Sequence, residues 1–234
     1  MSDHCLIVLG MHRSGTSCLT GTIEQCGVAL GEVFTENPFN RKGNRENAAV
    51  QALNNDVLEA NGGAWNQPVD VAHWTDELRA RRDNIIHEIR SGADGWWGFK
   101  DPRVMLALPF WLEAIDSPRF IGTFRHPHRV ALSLNHRDRM PLENAYDLWL
   151  TYNHRLLDYQ ARFGFDLVNF DLRDEEYRAD VASKLARLGL TSRADDLFFD
   201  PGLRHQSMAP VDGVPLPDDA REVYQLLKAR YAAL

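Results

Sequence analysis

Cysteine is scarce in this chain of 234 residues. There are three, Cys5, Cys18 and Cys26, odd in number and with no Cys-x-x-Cys pair, which argues against a disulfide framework and a cysteine zinc site. They read as small core residues in a reducing compartment. Long apolar runs are also missing: no stretch approaches the roughly 18 apolar residues of a membrane span. The run Cys5 to Leu9 is too short for a secretion signal, so the expectation is a cytoplasmic protein. Positive charge is in deficit, since 26 Lys and Arg against 33 Asp and Glu leave a formal charge of -7. General nucleic-acid binding, which draws its affinity from neutralising phosphates, is thereby disfavoured. No internal repeat or low-complexity tract is present. No His, Cys and Asp group has metal-ligand spacing and no Ser/His/Asp arrangement can be drawn, so a metal-independent chemistry is expected.

What remains is ordinary globular composition, 44% hydrophobic and 25% charged, enough for a full core. The length is little more than one typical domain of about 150 residues, so residues 1–234 are expected to form a single domain. His4 to Leu9 is a short apolar run that suits a buried parallel strand. Thr16 to Cys26 then has helical spacing, with Leu19, Ile23 and Cys26 on one stripe and Gly27 as its stop. A helix capped by Asn44 and carrying Ala49, Leu53, Val57 and Ala60 follows, then one from about Val71 to Arg90. Further strands are expected at Trp96 to Lys100, Arg119 to Arg125 and Asp166 to Phe170. A long helix from Glu143 to Phe163 presents Ala145, Leu148, Trp149, Tyr152, Leu156 and Phe163 on one face. Alternation of buried strands and helices implies an α/β fold, a doubly wound parallel sheet of the P-loop type flanked by helices, with ligands at the carboxyl ends of the strands. From Asp200 to Asp218 four prolines and two glycines make an irregular segment before a last helix with Val223, Leu226, Leu227 and Leu234.

The first strand runs into Gly10-Met11-His12-Arg13-Ser14-Gly15-Thr16-Ser17, two glycines four residues apart with hydroxyls opening the next helix. Such a loop wraps backbone amides around a phosphate at the positive end of a helix dipole. Where nucleotide triphosphatases carry Gly-Lys-Ser/Thr, this chain has Gly15-Thr16-Ser17, and the cation has moved to Arg13. A second cationic segment, Arg125 to Arg139, holds four arginines against one Asp, together with His126, His128 and His136. Pro127 can open a helix there, placing Arg125 at a strand end and Ser133 in the second helical turn, where both can reach one anion.

These residues resemble the sulfotransferase superfamily, particularly bacterial members with a Gly-Met-His-Arg-Ser-Gly-Thr-Ser loop. The resemblance continues through Gly98-Phe99-Lys100-Asp101-Pro102-Arg103 and Asn169-Phe170-Asp171-Leu172, and so spans residues 5 to about 172. It implies that the first loop (Arg13, Ser14, Gly15, Thr16 and Ser17) holds the 5′-phosphosulfate of 3′-phosphoadenosine 5′-phosphosulfate (PAPS), the donor co-substrate. It implies that Arg125 and Ser133 hold the 3′-phosphate. Sulfuryl transfer asks for alignment and for cations near the leaving oxygen, and Arg13 and Lys100 are the candidates. A base for the acceptor hydroxyl is also needed. Asn40-x-x-Gly43-x-x-Glu46 resembles a stretch of the bacterial family, which makes Glu46 a candidate for catalysis, or for a carboxylate in the first turn of its helix. Glu32 and Glu36 are next, while Arg204 and His205 sit in the Pro-rich segment. The partners implied are a nucleotide donor and an unidentified acceptor. A P-loop small-molecule kinase and a non-catalytic nucleotide binder are the alternative readings.

Overall fold

The computed structural model describes residues 3–36, 42–191, 198–200, 211 and 213–233. Strands β1 (His4–Leu9), β2 (Trp96–Lys100), β3 (Arg119–Phe124) and β4 (Leu167–Asn169) form an all-parallel sheet in the order β2-β1-β3-β4. Each lies within a residue or two of its expected range. The register pairs Val8 of β1 with Lys100 on one side and Ile121 on the other.

Eight helices are described: α1 (Thr16–Gln25), α2 (Ala48–Ala60), α3 (Asp76–Ser91), α4 (Val104–Leu112), α5 (Pro127–Asp138), α6 (Leu142–Phe163), α7 (Asp174–Arg187) and α8 (Asp218–Ala232). Strand periodicity sorts them onto two faces. Cys5, Ile7 and Leu9 join the core shared with α2 to α6 and α8, whereas Leu6 and Val8 meet Leu19 and Ile23 of α1 and Val181 and Leu185 of α7. Each fully buried aliphatic side chain in these stripes contributes about 1.5–3 kcal/mol. Pro109 interrupts α4 by removing the amide that Met105 O would accept from; Tyr159 of α6 donates its hydroxyl there instead, at 3.3 Å.

Three local expectations are corrected. Asn47, not Asn44, caps α2: its Oδ1 accepts from Ala49 N at 3.0 Å and Val50 N at 3.3 Å. The inward stripe is therefore Val50, Leu53 and Val57, with Ala49 and Ala60 exposed, and Glu46 lies outside the helix. α3 begins at Asp76 because Thr75 Oγ1 caps it, leaving Val71 buried in the preceding loop. On α8, Val223 and Leu227 face inward four residues apart, which turns Leu226 to solvent, and Leu234 is outside the described residues. Cys5 is a core residue as expected; Cys18 and Cys26 are half-buried.

From β1 the chain crosses to β2 on one side and later returns to β3 on the other. The ends of β1 and β3 therefore flank a topological switch point, where α/β sheets open a crevice for ligands.

Candidate active site

The turn after β1 is held by close backbone packing. A Cβ on Gly10 would lie 2.7 Å from Thr123 O, and one on Gly15 would enter the Phe170 ring at 2.2–2.7 Å. Gly15, the N-cap of α1, has φ +84°, and Arg13 has φ +66°, left-handed for a residue with a side chain. Such a conformation costs an arginine about 1–2 kcal/mol, strain of a kind that clusters at ligand sites. Two left-handed residues this close bend the backbone into a concavity suited to an anion. Thr123 Oγ1 donates to Ser14 O at 2.9 Å, tying the turn to β3. Ser14 itself is fully buried, its amide donates to Met11 O at 3.3 Å, and it is not among the residues that, with Arg13, Gly15, Thr16 and Ser17, line the cleft.

The second cationic segment closes on this turn. Pro127 opens α5 with His126 as its cap, and Ser133 falls in the second turn. Arg13 Nε donates to Ser133 Oγ at 2.6 Å, and Arg125 Nη1 donates to Arg13 O at 3.3 Å. The two anchors are thus one continuous cluster. Arg125 is oriented from behind: its guanidinium lies 5.3 Å from the Phe170 ring centre, and Nε lies 3.6 Å from Asp171 Oδ1, which is also 3.4 Å from Arg129 Nε. Asp171 Oδ2 accepts from His126 N at 2.5 Å, fixing the strand end. Burial, reinforced by Arg137 and Arg125, lowers Arg13 to about 10, so it stays cationic at neutral pH.

Lys100 ends β2 on the other side of the turn. Its ammonium is 1% exposed, donates to Glu46 Oε1 at 2.8 Å and lies 3.4 Å from Ser17 Oγ. Glu46 is delivered by backbone pairing of its loop: Phe34 N donates to Glu46 O at 3.0 Å and Arg45 N to Phe34 O at 3.1 Å. Its second oxygen accepts from Gln51 Nε2 at 2.7 Å. In the Lys-Asp-Pro-Arg element, Asp101 is the strand-terminus ion pair, accepting from Arg103 N at 2.7 Å and Arg103 Nη1 at 3.0 Å, with its pKa pushed up to about 6, chiefly by burial. Glu32 and Glu36 are exposed and stay outside the cleft. Asn40, Arg204 and His205 lie outside the described residues.

Arg13, Gly15, Thr16, Ser17, Glu46, Arg125 and Ser133 line a cavity of about 380 Å³; Lys100 is not among the residues that line it. Trp65 also lines it, whereas Trp74 packs on Phe110 and donates to Glu113 at 2.9 Å. Residues assigned no role from sequence also line it: His12, Cys18, Arg103, Arg137 and Phe170. Arg137 was visible within the cationic run, but only the fold brings its guanidinium to 5.4 Å from the Trp65 ring centre. Burial, followed by the charges of Arg103, Arg137, Lys100 and Arg13, holds the His12 pKa well below its ordinary value, so the imidazole is neutral. Among the described residues no group of three or more His, Cys, Asp or Glu is placed to hold a metal ion, and no helix is long and apolar enough to cross a membrane.

A glycine-rich turn between a central parallel strand and its helix, at the switch point of a doubly wound sheet, defines a P-loop-type α/β fold. No protein-family model and no curated protein sequence matches the chain. Among solved structures it is similar to the sulfotransferase domain of the Synechococcus PCC 7002 olefin synthase, at 14% identity over 97% of this chain and 95% of that one, with a TM-score of 0.54. It also aligns with the sulfotransferase STF1 from Mycobacterium tuberculosis H37Rv at 15% identity, covering 100% of this chain and 78% of that one, with a TM-score of 0.45, too low an overlap to argue from. The chain has a sulfotransferase-like fold.

Proposed function

We propose that this protein is a sulfotransferase that moves a sulfuryl group from PAPS to an acceptor hydroxyl or amine. The observation that carries the reading is the convergence of two anion anchors on one cleft: the β1–α1 turn, and Arg125 with Ser133, joined through Arg13. A donor with phosphates at both its 5′ and 3′ positions uses both anchors; a triphosphate needs only the turn.

The residues suit such a donor. Gly15, Thr16 and Ser17 open α1 and present its positive end to the 5′-phosphosulfate. Arg125 and Ser133 take the 3′-phosphate, and Arg13 spans the two positions. The reaction asks little covalent chemistry of the protein: the donor is aligned for in-line transfer, and negative charge on the departing 5′-phosphate oxygen is stabilised. Lys100, beside Ser17, offsets that charge, and Glu46 holds the Lys100 ammonium in place. The reading needs no metal, so a chelator is expected to leave turnover unchanged.

Calorimetric titration tests the donor. Tighter binding of 3′,5′-bisphosphoadenosine than of ATP supports a sulfotransferase; the reverse order supports a kinase. Release of label from ³⁵S-PAPS to an acceptor then separates an enzyme from a protein that only binds the nucleotide.

A further inference from the structure

Transfer to a hydroxyl requires a group that takes its proton. Among the described residues three carboxylates and one imidazole line the cleft: Asp138 is paired with Arg137 at 2.7 Å and Asp200 with Lys42 at 3.9 Å, and the other two are Glu46 and His12. Glu46 is already committed: one oxygen accepts from Lys100 at 2.8 Å and the other from Gln51 at 2.7 Å, within a side chain 7% exposed. A proton placed on it would discharge the partner of a buried ammonium.

His12 is in the opposite condition. The residue is 8% exposed and lines the cleft, with its ring centre 4.7 Å from that of Trp65 and 5.9 Å from that of Tyr152. Its Nε2 is buried and has no hydrogen-bond partner among the described residues. Buried polar atoms of native proteins are almost always hydrogen-bonded, and an exception at a cleft marks where a ligand atom completes the set. His12 also precedes Arg13 directly, so the turn that grips the donor sets the position of this ring.

We infer that His12 is a catalytic residue that accepts the proton of the acceptor hydroxyl, and that Glu46 is a positioning residue acting through Lys100. The inference rests on the sulfotransferase reading. In the step, the acceptor oxygen bonds to sulfur as the sulfur–oxygen bond to the 5′-phosphate breaks, its electron pair staying on the phosphate. The acceptor's O–H pair stays on its oxygen while the proton passes to Nε2, in the tautomer whose hydrogen is on Nδ1. The imidazolium returns that proton to solvent as products leave. The charged or titratable groups facing the ring are Arg13 of its own turn, Lys100 at the end of β2, Arg103 ahead of α4, Arg137 of α5 and Tyr152 of α6. Together with burial, the four cations keep the lone pair available at neutral pH. The phosphates of the donor offset those cations when the imidazolium forms.

The test uses the whole chain, with ³⁵S-PAPS as donor and water as the acceptor, so that labelled sulfate is the product. Binding of 3′,5′-bisphosphoadenosine is measured first, and failure of the wild type to bind it overturns the donor reading rather than this one. With binding in hand, His12→Ala is expected to retain bisphosphate affinity within about threefold and to lose about 100-fold or more of sulfate release. Added imidazole restores release at least about tenfold, a rescue that a merely structural role would not give. His12→Gln serves where the Ala variant does not fold, and is expected to show the same loss with binding kept. Release by either folded variant within about threefold of wild type, a loss in His12→Ala that imidazole does not repair, or a wild type that binds the bisphosphate without releasing sulfate above the uncatalysed rate would each overturn the assignment.

Discussion

Removing Glu46 strands a charge. Lys100 is 1% exposed and Glu46 7% exposed, so Glu46→Ala leaves an ammonium in the interior with Ser17 Oγ at 3.4 Å as its remaining contact. Breaking a buried pair in this way costs about 3–5 kcal/mol, a large share of the roughly 5–15 kcal/mol that holds a domain folded. Lys100→Met should cost a comparable amount by stranding the carboxylate, which keeps only Gln51. The double variant Lys100→Met/Glu46→Leu leaves neither charge, and apolar replacement of a whole buried pair is often neutral or stabilising. The double variant is therefore expected to lose much less than the sum of the two single variants, giving a coupling of at least about 2 kcal/mol. Urea denaturation midpoints of the four proteins, with equal m-values, measure it. Single losses that add to within about 0.5 kcal/mol of the double would refute the pairing of Lys100 with Glu46, and with it the role given to Glu46.

Other expectations concern the anchors and the cap of α5. Arg125→Ala should weaken 3′,5′-bisphosphoadenosine by about 1.5–3 kcal/mol in calorimetry while scarcely changing binding of adenosine 5′-phosphosulfate; equal losses for both would remove its assigned partner. Gly15→Ala combines φ +84° with a methyl group set into the Phe170 ring, and should cost about 2–4 kcal/mol of stability in thermal or urea unfolding. His126, whose pKa is lowered to about 4 mainly by burial, is neutral in the fold and binds a proton below about 6.5 once unfolded. Its contribution to stability is present above that pH and is lost as pH falls toward 4. His126→Asn, which retains a capping side chain, should therefore lose less stability than wild type between pH 7 and pH 4.5, read by urea denaturation at both values.

Local signals carried the architecture. Apolar runs ending at Gly10 and Lys100 mark strands because a strand buried on both faces needs continuous hydrophobicity, and Pro127 marks the start of α5 because proline suits the first helical position. Cap choice was harder to read where two capping residues of one type stand three apart. Asn47 prevails over Asn44, with its Nδ2 also donating to Leu30 O at 3.2 Å, a contact between distant segments that no local pattern announces. The site divides in the same way. The turn and the Arg125…Ser133 pair have recognisable spacing, but Arg13 reaching Ser133 across 120 residues is a product of the β1–β3 pairing. Likewise Glu46 is singled out from Glu32 and Glu36 by meeting Lys100 across 54 residues. Nothing in the spacing of His12 decides its role; Trp65 and Tyr152, from a loop and a helix far along the chain, close around it.

The most direct measurement is a crystal structure of the chain with 3′,5′-bisphosphoadenosine. The 5′-phosphate is expected within hydrogen-bond reach of the Gly15 to Ser17 amides, and the 3′-phosphate on Arg125 and Ser133. A nucleotide bound with its 3′-phosphate in solvent, or with the β1–α1 turn untouched, would contradict the account.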